Sequence, residues 1–214
     1  MRSFAREHVH LLESRMEPKS KAVPLSLDLK GHLLIAMPGM GDDRFARTVI
    51  FICSHSNDGC MGFILNQPVA KPTFPDILEE LNLEKEAENL ASRDRSIQVH
   101  RGGPVEKGRG FVLHSLDYGS QNTVRVGDLA GLTATIDVLR KLCSEKPPEN
   151  AIMLLGYSGW SGGQLEREIA ENGWLTVPAT RELLFLNEPQ MRYDAALAAL
   201  GISEATLSAS AGHA

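Results

Sequence analysis

Residues 152–166 constrain this chain more than any other stretch. Ile152-Met153-Leu154-Leu155 is an unbroken apolar run and reads as a buried strand. Gly156-Tyr157-Ser158-Gly159-Trp160-Ser161-Gly162-Gly163 reads as a glycine-rich turn, and Gln164-Leu165-Glu166 as the start of a helix. Strand-to-helix turns of this kind are where phosphates bind and where nucleophilic serines sit.

Gly159-Trp160-Ser161-Gly162-Gly163 matches the G-x-S-x-G pattern, in which a sharp turn exposes a serine to a general base. A competing local account needs no catalysis. Ser161-Gly162-Gly163-Gln164 has the S-x-x-Q spacing of a capping box, with Ser161 and Gln164 bonding each other's backbone N–H. Gly173 stands where a left-handed residue would close the helix, and Trp174 where it would pack back on Ile169. The one histidine after Ser161 is His213, next to the C-terminus. Capping therefore outranks a nucleophile. Gly159, Ser161, Gly162 and Gly163 remain a candidate anion loop, because glycines leave the N–H groups of a helix start accessible. The stretch has neither the Lys-Ser/Thr pair of a P-loop nor dinucleotide-fold spacing.

Short apolar runs separated by glycine, proline and turn clusters fill the rest. Strands are expected at 33–37, 48–53, 60–65, 97–100, 110–114, 132–134, 152–155, 174–177 and 183–185. Ser56-Asn57-Asp58-Gly59 joins the second and third as a hairpin. Helices are expected from Thr73 to Leu81, with Thr73 as N-cap and Pro75 in the first turn, at 135–144, 165–172 and 191–200. Residues 83–91, dense in glutamate, read as an exposed helix or a loop. Hairpins alternate with strand–helix–strand units, so the sheet is expected to be mixed. Residues 1–28 read as a flexible extension that could hold one amphipathic helix through Phe4, His8, Leu11, Leu12 and Arg15. Residues 29–204 read as a single domain, and 205–214 as a flexible tail.

Length and composition suit one globular domain: 214 residues, 43% hydrophobic and 23% charged. A net charge of −5 speaks against a broad phosphate-binding surface, so nucleic acid is not an expected partner. Three cysteines without a CxxC spacing fit reduced thiols, and no apolar run reaches the length of a membrane span. The N-terminus lacks the apolar core of a secretory signal. A cytoplasmic protein with no membrane partner is the expectation.

Three segments together carry a resemblance. The first runs from Gly31-His32-Leu33-Leu34-Ile35-Ala36-Met37-Pro38 through Asp42, Phe45, Thr48-Val49-Ile50, His55, Gly59 and Gly62 to Asn66-Gln67-Pro68. The second is Gly102-Gly103-Pro104-Val105 with Arg109-Gly110-Phe111-Val112-Leu113-His114. The third is Gly156-Tyr157-Ser158-Gly159-Trp160 with Gly163-Gln164-Leu165-Glu166 and Trp174-Leu175. Over roughly residues 30–200 the chain resembles the AlgH, or YqgE-like, family of bacterial cytosolic proteins. The resemblance implies an α/β (α+β) domain whose mixed, branched sheet partly closes into a barrel surrounded by helices. It implies no known reaction; the family name reflects a proposed role in regulating alginate production, from which DNA binding has been inferred. Ser158 and Cys60 stand where the family pattern has alanine, and Asp43 where it has proline, so none of the three is a good candidate for a shared activity.

Asp42, His55, Asn66, Arg109 and Glu166 are polar residues near element ends and form a candidate ligand cleft. The bland alternatives are that Asp42 caps a turn, Asn66 makes an Asx-turn, His55 bonds the turn at 56–58, and Arg109 and Glu166 are surface charges. Cys53, His55 and Cys60 flank one hairpin but match no zinc spacing, and no metal or cofactor is expected. The reading that follows is a non-enzymatic binding or regulatory module for an unknown protein partner or small ligand. The alternatives are an enzyme using a polar cleft around Asp42, His55 and Asn66, and a transcriptional regulator.

Overall fold

The structure is a computed structural model that describes residues 28–91, 96–186 and 188–211. The possible N-terminal helix falls outside these residues.

Among the described residues, nine strands form one sheet that curls into a half-barrel with helices around it. Strands β1 (His32–Ala36), β2 (Val49–Ser56) and β3 (Gly59–Ile64) form an antiparallel run. The predicted hairpin is present, with Asn57-Asp58 as its two-residue connection. Strand β8 (Ala151–Ser161) is the hub. Its first half pairs antiparallel with β5 (Val105–His114) and parallel with β4 (Val99–Arg101), and its second half pairs with β3. This division is the branch in the sheet. β6 (Val124–Val126) and β7 (Ala130–Thr133) continue beyond β5, and β9 (Trp174–Pro178) continues beyond β1.

Alternation along β8 separates the core into layers. Ile152 and Leu154 face a cluster with Phe51, Phe63, Phe111 and Tyr193. Met153 faces a second cluster, with Leu155 packed against it, built from α1 (Phe74–Glu80), α2 (Glu84–Ala91) and α3 (Ile136–Leu142). α4 (Gln164–Ala170) closes a third, with Trp160 and Trp174. On the first side, Tyr193 of α5 (Arg192–Ala198) donates its hydroxyl to the Ala36 carbonyl at 2.7 Å.

Local chemistry accounts for several expected elements. Thr73 and Asp76 form a reciprocal capping box at α1, with Pro75 in the first turn. α4 ends in a Schellman motif: Gly173 N–H donates to the Glu168 carbonyl at 2.8 Å and Asn172 N–H to that of Ile169 at 3.0 Å. The left-handed residue is Asn172 (φ 58°), not Gly173 as the sequence suggests. Gly173 instead lies tight against the Glu168 carbonyl, 3.0 Å from where a Cβ would sit.

Three expectations are corrected. Leu183-Leu184-Phe185 is not a strand but part of a π-helical turn, Glu182–Leu186; the run is apolar because Leu183 and Leu184 are core residues, and a short apolar run has no period to tell the two apart. Residues read as tail are in part α6 (Glu204–Ala211), which Arg47 ties down through Glu204. The glycine-rich turn is strand: β8 runs on through Gly156 (φ 70°) to Ser161. Gly156 is required because a Cβ there would lie 2.7 Å from the Val105 carbonyl, where β5 bulges away from β8 between Val105 and Gly110.

Candidate functional site

The straightening of residues 156–161 changes the candidate anion loop. Gly159 and Ser161 are paired with Met61 and Gly59 in the sheet. Gly162 packs on the hairpin turn, where a Cβ would meet the Asn57 carbonyl at 2.2 Å. Gly163 is the N-cap of α4 in the left-handed region (φ 72°), with no side-chain cap bond. Of the predicted capping box one half is present: Ser161 N–H donates to Gln164 Oε1 at 3.0 Å. That donor is therefore occupied.

The five cleft candidates do not line one recess: Asp42 and Arg109 border different ones. Asn66 spans two segments, its Oδ1 accepting from Val49 N–H at 2.9 Å and its Nδ2 donating to the Arg47 carbonyl at 2.8 Å, rather than making an Asx-turn. Asp42 caps the 3-10 turn Asp43–Phe45, and its carboxylate is gripped by Arg44. The hydrogen bond from Arg44 holds the Asp42 carboxyl below the ordinary aspartate range. Arg109 lies over the Phe111 ring, 5.0 Å from its centroid, and pairs with Glu106 at 3.0 Å. Of the five, only His55 and Glu166 bond each other, at 2.8 Å.

His55 is not bonded to its hairpin turn. Leu29 N–H donates to Nδ1 at 3.1 Å, so Nε2 carries the hydrogen and donates to Glu166. Both ring nitrogens are occupied, which leaves neither to take a proton from a substrate. Cys60, directly across the hairpin from His55, completes what resembles a Cys-His-Glu set. Its thiol is nevertheless pushed up to about 12, first by burial and then by the Glu166 charge, so it is not a thiolate nucleophile. His114 is likewise engaged on both sides, by the Ser115 carbonyl and Thr133 Oγ1, each at 2.9 Å.

The recess best suited to a ligand lies elsewhere, between α1, α3 and the sheet. It holds about 450 Å³, within the range of small-molecule pockets. Its walls are Ile77 and Leu81 beside α3's Val138 and Leu139, with Met153 and Leu155 from β8 behind. β5 contributes the bulged stretch 107–112, which brings the predicted residue Arg109 to this pocket's wall although its guanidinium is spent on Phe111 and Glu106. Leu81 and Ile136 line the pocket while remaining 39% and 45% exposed. Asp42 borders a different recess, of about 510 Å³, beside Phe45, Glu168 and Trp174. Sequence reasoning missed the first pocket because its walls are ordinary core residues at helical spacing; the exposed Ile136, in the first turn of α3, is the one visible signal.

The curled, branched sheet and its flanking helices define an α+β protein. The chain belongs to the AlgH-like family, whose model matches residues 33–205. It is 55% identical over 188 residues to a UPF0301 protein of Rhizobium meliloti strain 1021, covering 87% of this chain and 93% of that one. A UPF0301 protein of Mesorhizobium japonicum is 53% identical over 188 residues, with the same coverage. The solution structure of the AlgH protein from Pseudomonas aeruginosa superimposes with a TM-score of 0.67 at 37% identity, covering 93% of this chain and all of that one. A crystal structure of protein DIP2367 from Corynebacterium diphtheriae shares the fold at a TM-score of 0.60 and 19% identity, over 86% and 88% of the two chains. Among the described residues no helix is long and apolar enough to cross a membrane.

Proposed function

We propose that the protein is a non-enzymatic binding module whose ligand is a small, mainly apolar molecule, or the apolar end of a larger one, held between α1, α3 and β5. The observation that carries this reading is the pocket itself: walls of aliphatic side chains, with Leu81 and Ile136 left exposed beside it. The occupied ring nitrogens of His55 and the suppressed Cys60 thiol favour binding over turnover.

The affinity scale follows from burial. At about 0.8 kcal/mol per buried methylene, five or six methylenes contribute roughly 4–5 kcal/mol, which corresponds to a dissociation constant on the order of a millimolar or somewhat below. The test is a titration with 1-octanol followed through the methyl resonances of Val138, Leu139 and Met153. Saturable shifts are expected in the wild type and their loss in Ala134→Trp, which fills the pocket from an exposed wall position. Unshifted methyls in the wild type, or equal shifts in the variant, would sink the proposal.

A further inference from the structure

We propose that the ligand of the α1–α3 pocket is an anionic amphiphile, an alkyl chain ending in a carboxylate, whose headgroup meets the ammonium group of Lys107 at the mouth. The inference rests on the reading of that recess as a ligand site and adds the charge of what enters it. One wall of the pocket is the stretch 107–112 of β5. β5 shifts register against β8 between Val105 and Gly110, and the bulge between them carries Lys107 and Arg109. Glu106 opens the bulge with its backbone in the left-handed region (φ 46°), an uncommon conformation for a residue with a side chain. Gly108 has nothing within 4 Å of where a Cβ would sit, so the strand turns an open edge to the recess. A bulge re-aims the side chains it carries, and here both cations line the pocket.

Three charged side chains line the pocket: Lys107, Arg109 and Glu80. Arg109 is engaged already, paired with Glu106 at 3.0 Å and stacked over Phe111. Lys107 has no ion-pair or side-chain hydrogen-bond partner among the described residues, so its three donors are available. Glu80, at the end of α1, is exposed and does not pair with Lys107 across the mouth. The lining thus carries two cations against one carboxylate, which favours a negative headgroup. The division of the pocket fits the same ligand. Its depths are aliphatic, with Val138, Leu139 and Met153 buried there, and would reject a charge. Lys107 is exposed, so a carboxylate beside it keeps most of its water while the chain is buried. The long apolar stem of lysine can lie along the wall and leave the ammonium group in solvent. Pairing at so exposed a site is weak, and amounts to about a two- to fivefold gain in affinity.

The experiment titrates the protein at pH 7 and low salt with octanoate, 1-octanol and octylammonium, which share a chain and differ in the headgroup. Binding is read from the methyl resonances of Val138, Leu139 and Met153, and the headgroup contact from the ε-carbon resonance of Lys107. Octanoate is expected to bind about two- to fivefold tighter than 1-octanol, and octylammonium more weakly than either. The Lys107 resonance should shift with octanoate and not with 1-octanol, and added salt should erode the octanoate preference. Lys107→Met should abolish that preference and Lys107→Arg should keep it. Binding of 1-octanol with no preference for octanoate overturns this inference and leaves the pocket itself standing. No saturable shift with any of the three overturns both. Tighter binding of octylammonium puts Glu80 in charge of the headgroup and overturns the inference, as does a preference for octanoate that survives Lys107→Met.

Discussion

One carboxylate holds the third core cluster together, and its removal can be worked out quantitatively. Glu168 of α4 accepts from Trp160 Nε1 at 2.9 Å and Trp174 Nε1 at 2.8 Å, both on Oε2, and from Gln164 Nε2 at 2.9 Å on Oε1. These bonds join β8, β9 and the first turn of α4. The indoles are 7% and 3% exposed, so Glu168→Ala strands two buried N–H donors, each worth about 1–3 kcal/mol when left unmade. Glu168 itself is half-buried, and water entering the vacated space recovers part of that loss. The expected cost is about 2–4 kcal/mol, or a fall in Tm of roughly 4–16 °C for a chain of this size. Glu168→Gln keeps a carbonyl for the indoles but turns an amide toward that of Gln164, and should cost about 1 kcal/mol. Urea unfolding followed by tryptophan fluorescence suits the measurement, because Trp160 and Trp174 are the two tryptophans of the chain. A double-mutant cycle with Trp174→Phe isolates one of the bonds. A loss under about 0.5 kcal/mol for Glu168→Ala would refute the reasoning.

Other outcomes follow from the same geometry. The Asp76 carboxyl, held down to about 2 chiefly by the Thr73 N–H and also by Lys71, contributes stability that is present above the unfolded value near 4 and lost as pH falls through 2. An NMR titration should place its midpoint near 2, and Thr73→Ala should move it upward. Gly103→Ala places a Cβ 2.1 Å from the Tyr157 carbonyl carbon in the neighbouring strand, so it should cost about 3 kcal/mol or more; a variant of wild-type stability would contradict the packing. Cys60, with its thiol at about 12, should resist alkylation at pH 8 in the native protein and react on unfolding; native-state labelling at the rate of a free thiol would contradict its burial.

The elements most legible in the sequence are those specified by neighbours in the chain. The β2–β3 hairpin follows from β-branched runs around a turn cluster, and α1 from Thr73, Pro75 and Asp76. What escaped is specified across the sheet. Gly156 looks like a turn residue and is one half of a close strand crossing, because the chain it must avoid, at Val105, is 51 residues away. β6 is three residues long with two of them exposed, so it carries no burial pattern. The partners of the candidate cleft residues Asn66 and His55 are likewise set across the fold. Asn66 satisfies Val49 and Arg47, and Asp42 satisfies Arg44, so their polarity is consumed by backbone and neighbour. Arg192 gives no sequence signal at all: a helix-start arginine is ordinarily solvated, and only the fold buries it.

The central claim is that the space between α1, α3 and β5 is a ligand pocket. Isotope-filtered nuclear Overhauser measurements between carbon-13-labelled protein methyls and bound 1-octanol test it most directly. The account predicts cross-peaks from the octanol chain to Met153 and Leu139 and none to Ile152, which faces the other side of the sheet. Cross-peaks to Ile152 without Met153 would contradict it.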